Sequence, residues 1–179
     1  MRITISGPPG SGKTTVCSIL SQRLSMDSVV FGRIFREYAA ERGLTLSELG
    51  AIAENDPSID ETIDSRILEI ARSNDNMIFE SRLSAYMLHR NDIPAFKVYL
   101  DASPKVRMQR IGGRDGETAE EAEKNTLDRQ ASEAKRYMKY YGIDITDKSI
   151  YDLVISTDDL TPEEITDELV MKAEGYGCS

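Results

Sequence analysis

The sequence predicts an α/β fold, a five-stranded parallel sheet with helices on both faces. Three observations predict it. Short β-type runs alternate with helical apolar stripes along the chain, the pattern of parallel strands joined by crossover helices. The first strand passes through a glycine-rich loop directly into a helix. The length, 179 residues, suits one domain with a real core.

Residues 2–6 alternate Ile3 and Ile5 with polar positions and read as the first strand. From Thr14, the residues Val16, Ile19, Leu20 and Leu24 form a helical stripe. Residues 28–31 (SVVF) read as a second strand ending at Gly32. The stretch from Gly32 to about Asn76 is helical throughout. Ile34, Phe35 and Tyr38 mark a first helix. Thr45 and Glu48 form a capping box for a second, and Asp56-Pro57 supplies an N-cap and N1 proline for a third. Ile59, Ile63, Ile67 and Ile70 line its buried face.

MIFES (77–81) reads as the third strand, followed by a short helix through Tyr86 to Arg90. FKVYLDA (96–102) is the fourth. Pro104 opens a helix carrying Val106, Met108 and Ile111, interrupted at Gly112-Gly113. Thr118 and Glu121 cap another, predicted to run to about Tyr140. YDLVIST (151–157) is the fifth strand. Thr161, Pro162 and Glu164 open the last helix, with Leu160 and Ile165 placed as a hydrophobic staple. Residues 33–76 and about 112–142 are excursions from the core, which consists of 1–32, 77–111 and 143–179.

Composition narrows the function classes. The net charge is −9, which argues against nucleic acid or an anionic membrane as the main partner. No apolar run reaches the roughly 20 residues of a membrane span. Two cysteines without metal-ligand spacing and one histidine argue against structural zinc and a disulfide framework, and point to a reduced, cytoplasmic setting. His89 reads as a surface helix residue. Arginines number 14 against 8 lysines, a bias that suits bidentate recognition of phosphate.

Residues 7–14, GPPGSGKT, match the phosphate-binding P-loop, with a strand before and a helix after as the motif demands. The fold class is therefore that of the P-loop NTPases. Gly7, Pro8, Pro9, Gly10, Ser11 and Gly12 would form a cradle whose N–H groups face phosphate oxygens. The helix beginning with Lys13, Thr14 and Thr15 would present its positive end to the same anion. Lys13 would reach the β- and γ-phosphates, and the Thr14 hydroxyl would ligate Mg²⁺.

The motif names a nucleoside triphosphate but no reaction. The guanine-reading Asn-Lys-x-Asp segment of GTPases and the Leu-Ser-Gly-Gly of ABC ATPases are both absent from the sequence. Six arginines point instead to transfer between two phosphorylated substrates. Arg36 lies at the entrance to the first excursion, Arg82 directly follows strand three, Arg110 and Arg114 share a helical face at the edge of the second excursion, and Arg129 and Arg136 lie two turns apart along one face of the helix that leaves it. Such cations offset phosphate repulsion and stabilise charge on the transferred oxygens. A regulator or an ATPase using water as acceptor has no need of a second phosphate site near Arg36 and Arg82. Arg33, Arg42, Arg72, Arg90 and Arg107 read as surface residues. Glu80, closing strand three, is placed to hold a Mg²⁺-bound water.

The chain resembles the nucleoside monophosphate kinases, and within them the archaeal-type cytidylate kinases. The resemblance is carried by ISGPPGSGKTT, FGRIFREYAAERG, DPSIDETIDSRILEIAR, RLSAYM and RYMKYYGIDITDKSIYDLVIST, and covers nearly the whole chain. It implies that 33–76 is a helical NMP-binding insertion and about 112–128 a short, zinc-free lid, with the following helix running to 142. It further implies that Arg36 and Arg82 hold the acceptor monophosphate. Arg110 would lie along the adenine of ATP, Arg114 would reach its phosphates, and Arg129 and Arg136 would clamp the transferred group. The family often carries Asp at the Glu80 position and glycine at the Ser81 position.

Cytosine offers an N4 donor with N3 and O2 acceptors, so a carboxylate with a neighbouring Ser or Arg could read it. Asp60 and Asp64 share one helix face, beside Ser65 and Arg66, and are the candidates; a solvated acidic face is the alternative. Adenine shares the exocyclic amine, so the residues alone leave AMP open, and the preference for CMP and dCMP comes from the resemblance. A monomer is expected.

Overall fold

The computed structural model describes residues 1–111 and 118–176. Five parallel strands, β1 (Arg2–Ser6), β2 (Asp27–Val30), β3 (Met77–Glu80), β4 (Phe96–Asp101) and β5 (Leu153–Ser156), are arranged in the order β2-β3-β1-β4-β5. The first strand is thus the middle one, and Ile3 lies opposite Ile78 on one side and Phe96 on the other. Eight helices are present among the described residues: α1 (Lys13–Leu24), α2 (Phe31–Glu41), α3 (Leu46–Ala53), α4 (Pro57–Ser73), α5 (Ser84–Arg90), α6 (Pro104–Ile111), α7 (Ala119–Tyr141) and α8 (Pro162–Tyr176). None of them is long and apolar enough to cross a membrane.

The sheet separates two apolar layers. Ile3, Ile5, Val98 and Leu100 pack with Val16, Leu20, Ile165 and Leu169 from α1 and α8. Phe79 packs with Phe31, Ile63, Ile67, Leu83 and Leu88 on the other side. The insertion has its own small core, Ala39, Leu49, Ala53 and Ile59. The sequence-read caps form as expected: Thr45 with Glu48, Thr118 with Glu121, and Asp56 accepting from the Ser58 N–H. Thr161 and Glu164 exchange the same reciprocal bonds ahead of α8.

The second and fifth strands shift, while the third and fourth end one residue early, at Glu80 and Asp101. The second strand spans Asp27–Val30, and Phe31 opens α2 instead of closing the strand. Val30 provides no side-chain cap, so no polar signal marks this helix start; Phe31 is drawn inward by the Phe79 cluster. The fifth strand begins at Leu153. Tyr151 lies ahead of it in a turn, its N–H donating to the Lys148 carbonyl at 3.2 Å. Its ring packs edge-on against Tyr86 and Tyr99, and the Tyr86 hydroxyl donates to the Asp147 carbonyl at 2.6 Å. The segment leading into β5 is thereby pinned beside the carboxyl ends of the strands.

Candidate active site

All five strands point the same way, so the residues that follow β1, β3, β4 and β5 meet at one edge, beside the middle strand where the order reverses. The glycine loop fills that position. Gly7 has φ 147°, and a Cβ there would lie 2.2 Å from the Leu100 carbonyl oxygen, so only glycine fits. Gly10 has φ 82°, and a Cβ there would meet the Arg107 main chain at 2.8–3.0 Å. Helix α1 starts behind Gly12 without a side-chain cap, which leaves its first-turn N–H groups to bind an anion. Lys13 folds back over the loop, its Nζ donating to the Pro8 carbonyl at 2.9 Å. Burial, aided by the charge of Arg82, pulls its pKa down to about 8, against the opposing influence of Glu80 and Glu133.

Beyond β3, Glu80 is buried, and its Oε2 has no hydrogen-bond partner among the described residues. The Ser81 hydroxyl accepts from the N–H groups of Leu83 and Ser84, at 3.0 and 3.3 Å. Serine at this position thus starts α5, a task glycine cannot perform. Arg82, mostly buried, has its guanidinium 3.3 Å from Glu133 Oε2 on α7. Arg36 is exposed on α2. Arg110 donates to the Thr157 carbonyl at 2.7 Å and to the Gly10 carbonyl at 3.3 Å, bridging the loop and the end of β5.

Arg107 is a correction. It is 9% exposed, not a surface residue. Its Nε donates to the Pro9 carbonyl at 2.9 Å and its second nitrogen to Gln130 at 2.6 Å. It supports the glycine loop from below and ties it to α7.

The insertion rests on α7. Asp60 and Asp64 are 3% and 6% exposed, so the solvated-face alternative is excluded. Arg136, itself buried, donates from Nε to Asp60 Oδ2 at 2.7 Å and from a terminal nitrogen to Ser132 at 2.8 Å. It is turned toward Asp60 and away from solvent. The Tyr141 hydroxyl donates to Asp64 at 3.0 Å. Burial, reinforced by the neighbouring Asp60 charge, pushes Asp64 up to about 7; burial also raises Asp60, against the pull of Arg136. Tyr140 and Lys139 donate to the Ala53 and Glu54 carbonyls, at 2.6 and 2.8 Å, so the open end of α3 is capped by α7. Arg129 lies half-buried on α7. Arg114 lies outside the described residues, as does the part of the lid at 112–117.

The residues present fit a magnesium ion carried with a nucleotide. No cluster of three or more His, Cys, Asp or Glu occurs among the described residues, and Mg²⁺ characteristically binds through one or two protein oxygens plus waters and phosphates. The Thr14 hydroxyl on the first turn of α1 and, through a water, the unpartnered Glu80 oxygen are the protein groups that would hold it.

The sequence model of the Cytidylate kinase-like family matches residues 2–159. The chain belongs to that family. A cytidylate kinase of Sulfurisphaera tokodaii is 46% identical over 166 residues, 93% of this chain and 91% of the relative. One of Methanococcoides burtonii is 44% identical over 177 residues, 99% of each chain. Among solved structures, the shikimate kinases of Bacteroides thetaiotaomicron (TM-score 0.66, 16% identity, covering 97% of this chain and 98% of that one) and Aquifex aeolicus (0.60, 20%, 99% and 98%) share the fold. As a cytidylate kinase-like protein, the chain brings its glycine loop, Glu80, Arg82 and Arg110 together at one sheet edge. It brings Asp60 and Arg136 together at the junction of the insertion with α7. Arg107 and Glu133 are the residues the sequence reading missed. Both meet the site only through long-range contacts, although the cationic spacing of Arg107 and Arg110 on α6 is visible in the sequence.

Proposed function

We propose that the chain is a cytidylate kinase that transfers the γ-phosphoryl group of ATP to the phosphate of CMP, and of dCMP, giving CDP or dCDP and ADP. The observation that carries the reading is the placement of Lys13 and Arg82 behind adjacent strands, β1 and β3, within a chain of this family. One seat suits the triphosphate and the other suits a second phosphate.

The loop from Gly7 to Gly12, with Lys13, Thr14 and Thr15, would hold the ATP phosphates, and Arg110 would border the adenine. Arg36 and Arg82 would hold the acceptor phosphate. Asp60 and Asp64 would read the base, with Arg136 aligning Asp60. Arg114 and Arg129 would approach the transferred group from the lid side, joined by Arg136 when its ion pair parts. No protein nucleophile is required. An acceptor phosphate oxygen attacks the γ-phosphorus as the bond to the ADP oxygen breaks, and the protein contributes alignment and positive charge. Thr14, and Glu80 through water, would hold Mg²⁺, which when bound neutralises charge on the β- and γ-phosphates. The docked insertion keeps water from competing with the acceptor. The enzyme is read as a cytoplasmic monomer with small-molecule partners only.

The test is turnover of Mg-ATP with CMP, dCMP, UMP, AMP and GMP, following ADP formation. CMP and dCMP are expected to be the best acceptors. ADP release that ignores the acceptor would refute the kinase reading, and a maximum with AMP would refute the cytidylate one.

A further inference from the structure

Glu133 is an unexpected carboxylate in a site built for phosphates. It projects from α7, with its Oε2 3.3 Å from the Arg82 guanidinium, and the two side chains are 22% and 17% exposed. That oxygen is buried, yet it makes no hydrogen bond among the described residues. The contact is therefore a charge pairing without the aligned fork that arginine forms with a good anion. Its charge also reaches Lys13, Asp60 and Arg136, so Glu133 sits between the glycine loop and the insertion.

We propose that Glu133 is an affinity-setting residue: it pairs with Arg82 in the unliganded enzyme and competes with the acceptor phosphate for that guanidinium. The proposal rests on the reading of Arg82 as an acceptor-phosphate ligand. A phosphate monoester brings nearly two negative charges and three oxygens at neutral pH, and it offers the fork that Glu133 does not make. Exchange therefore favours the acceptor, but only after the carboxylate is displaced, which lowers the apparent acceptor affinity by the fraction of Arg82 held back. The displaced residue sits on the same helix as Arg136, whose partner Asp60 belongs to the insertion. After transfer, the returning carboxylate helps expel the product.

The experiment is a double-mutant cycle read by calorimetric titration with CMP in the absence of ATP. Glu133→Gln keeps the shape and removes the charge. It is expected to tighten CMP binding about fivefold, the upper range for a partly exposed ion pair. Glu133→Ala is expected to act in the same direction, which guards against an effect peculiar to the amide. Arg82→Ala is expected to weaken CMP binding strongly, and adding Glu133→Gln to Arg82→Ala is expected to change nothing further. If Arg82→Ala weakens binding but neither Glu133 variant tightens it, the proposal is overturned while the reading of Arg82 stands. If Arg82→Ala leaves CMP binding unchanged, the reading of Arg82 falls and the proposal with it.

Discussion

Arg136→Met tests the junction between the insertion and α7. The Arg136–Asp60 pair is 2.7 Å long, and both side chains are under 5% exposed. Removing one partner of such a pair leaves a buried charge and destabilises by about 3–5 kcal/mol. An unfolding entropy of roughly 2.1 cal/mol/K per residue gives about 0.38 kcal/mol/K for 179 residues. The expected fall in Tm is therefore about 8–13 °C. Burial already raises the Asp60 pKa despite Arg136, and the variant raises it further. A carboxyl whose folded pKa exceeds its unfolded value loses stability as pH rises between the two. The deficit must then be larger at pH 8 than at pH 5, where protonation spares the folded state. Asp60→Asn combined with Arg136→Met should recover part of the loss, because no charge is left stranded. The assay is thermal unfolding by circular dichroism at both pH values. A fall smaller than about 3 °C at pH 8, or one equal at both pH values, would refute the reasoning.

Asp64 carries a raised pKa of about 7, so the folded protein loses stability from this group as pH climbs from about 4 to about 7. Asp64→Asn should flatten that part of the Tm–pH curve; a curve unchanged by the substitution would contradict the burial argument. Lys13 has the opposite sign: its ammonium, the form that meets phosphate, is lost as pH rises through about 8. The kcat/KM for ATP should decline above that pH in steady-state assays, and the decline should be absent in kcat, since bound phosphate restores the proton. Arg107→Met removes the charged hydrogen bonds to the Pro9 carbonyl and Gln130, each worth about 1.5–3 kcal/mol. The KM for ATP should rise about tenfold with the CMP KM unmoved; equal rises in both would point to general unfolding.

The fold was legible because its signals are local. Each capping box needs two residues three apart, and the strands announce themselves by apolar runs between turns. The loop was equally legible, since glycine at positions 7 and 10 is demanded by backbone that folds against it. What escaped was set by distance along the chain. Arg107 reads as one of several helix cations until Pro9, 98 residues earlier, is placed above it. Glu133 lies in a polar stretch of α7 and acquires meaning only opposite Arg82. Asp60 and Asp64 show the reverse case. Their i, i+4 spacing was visible, but whether that face met solvent or α7 depended on a helix beginning more than 50 residues later. The start of α2 was missed for want of a polar cap at Val30.

The position of β1 has a consequence for biosynthesis. The middle strand is the first one made, yet its neighbours are residues 77–80 and 96–99. At roughly 5–20 residues per second, translation leaves it without its second neighbour for on the order of 5–20 s. During that interval Ile3 and Ile5, both fully buried in the finished protein, are open to chaperones or to other nascent chains. The loop behind the strand takes its shape later still, because Leu100 and Arg107 press on Gly7 and Gly10. A nascent chain released before those residues emerge carries the full nucleotide-binding motif without the means to fold it.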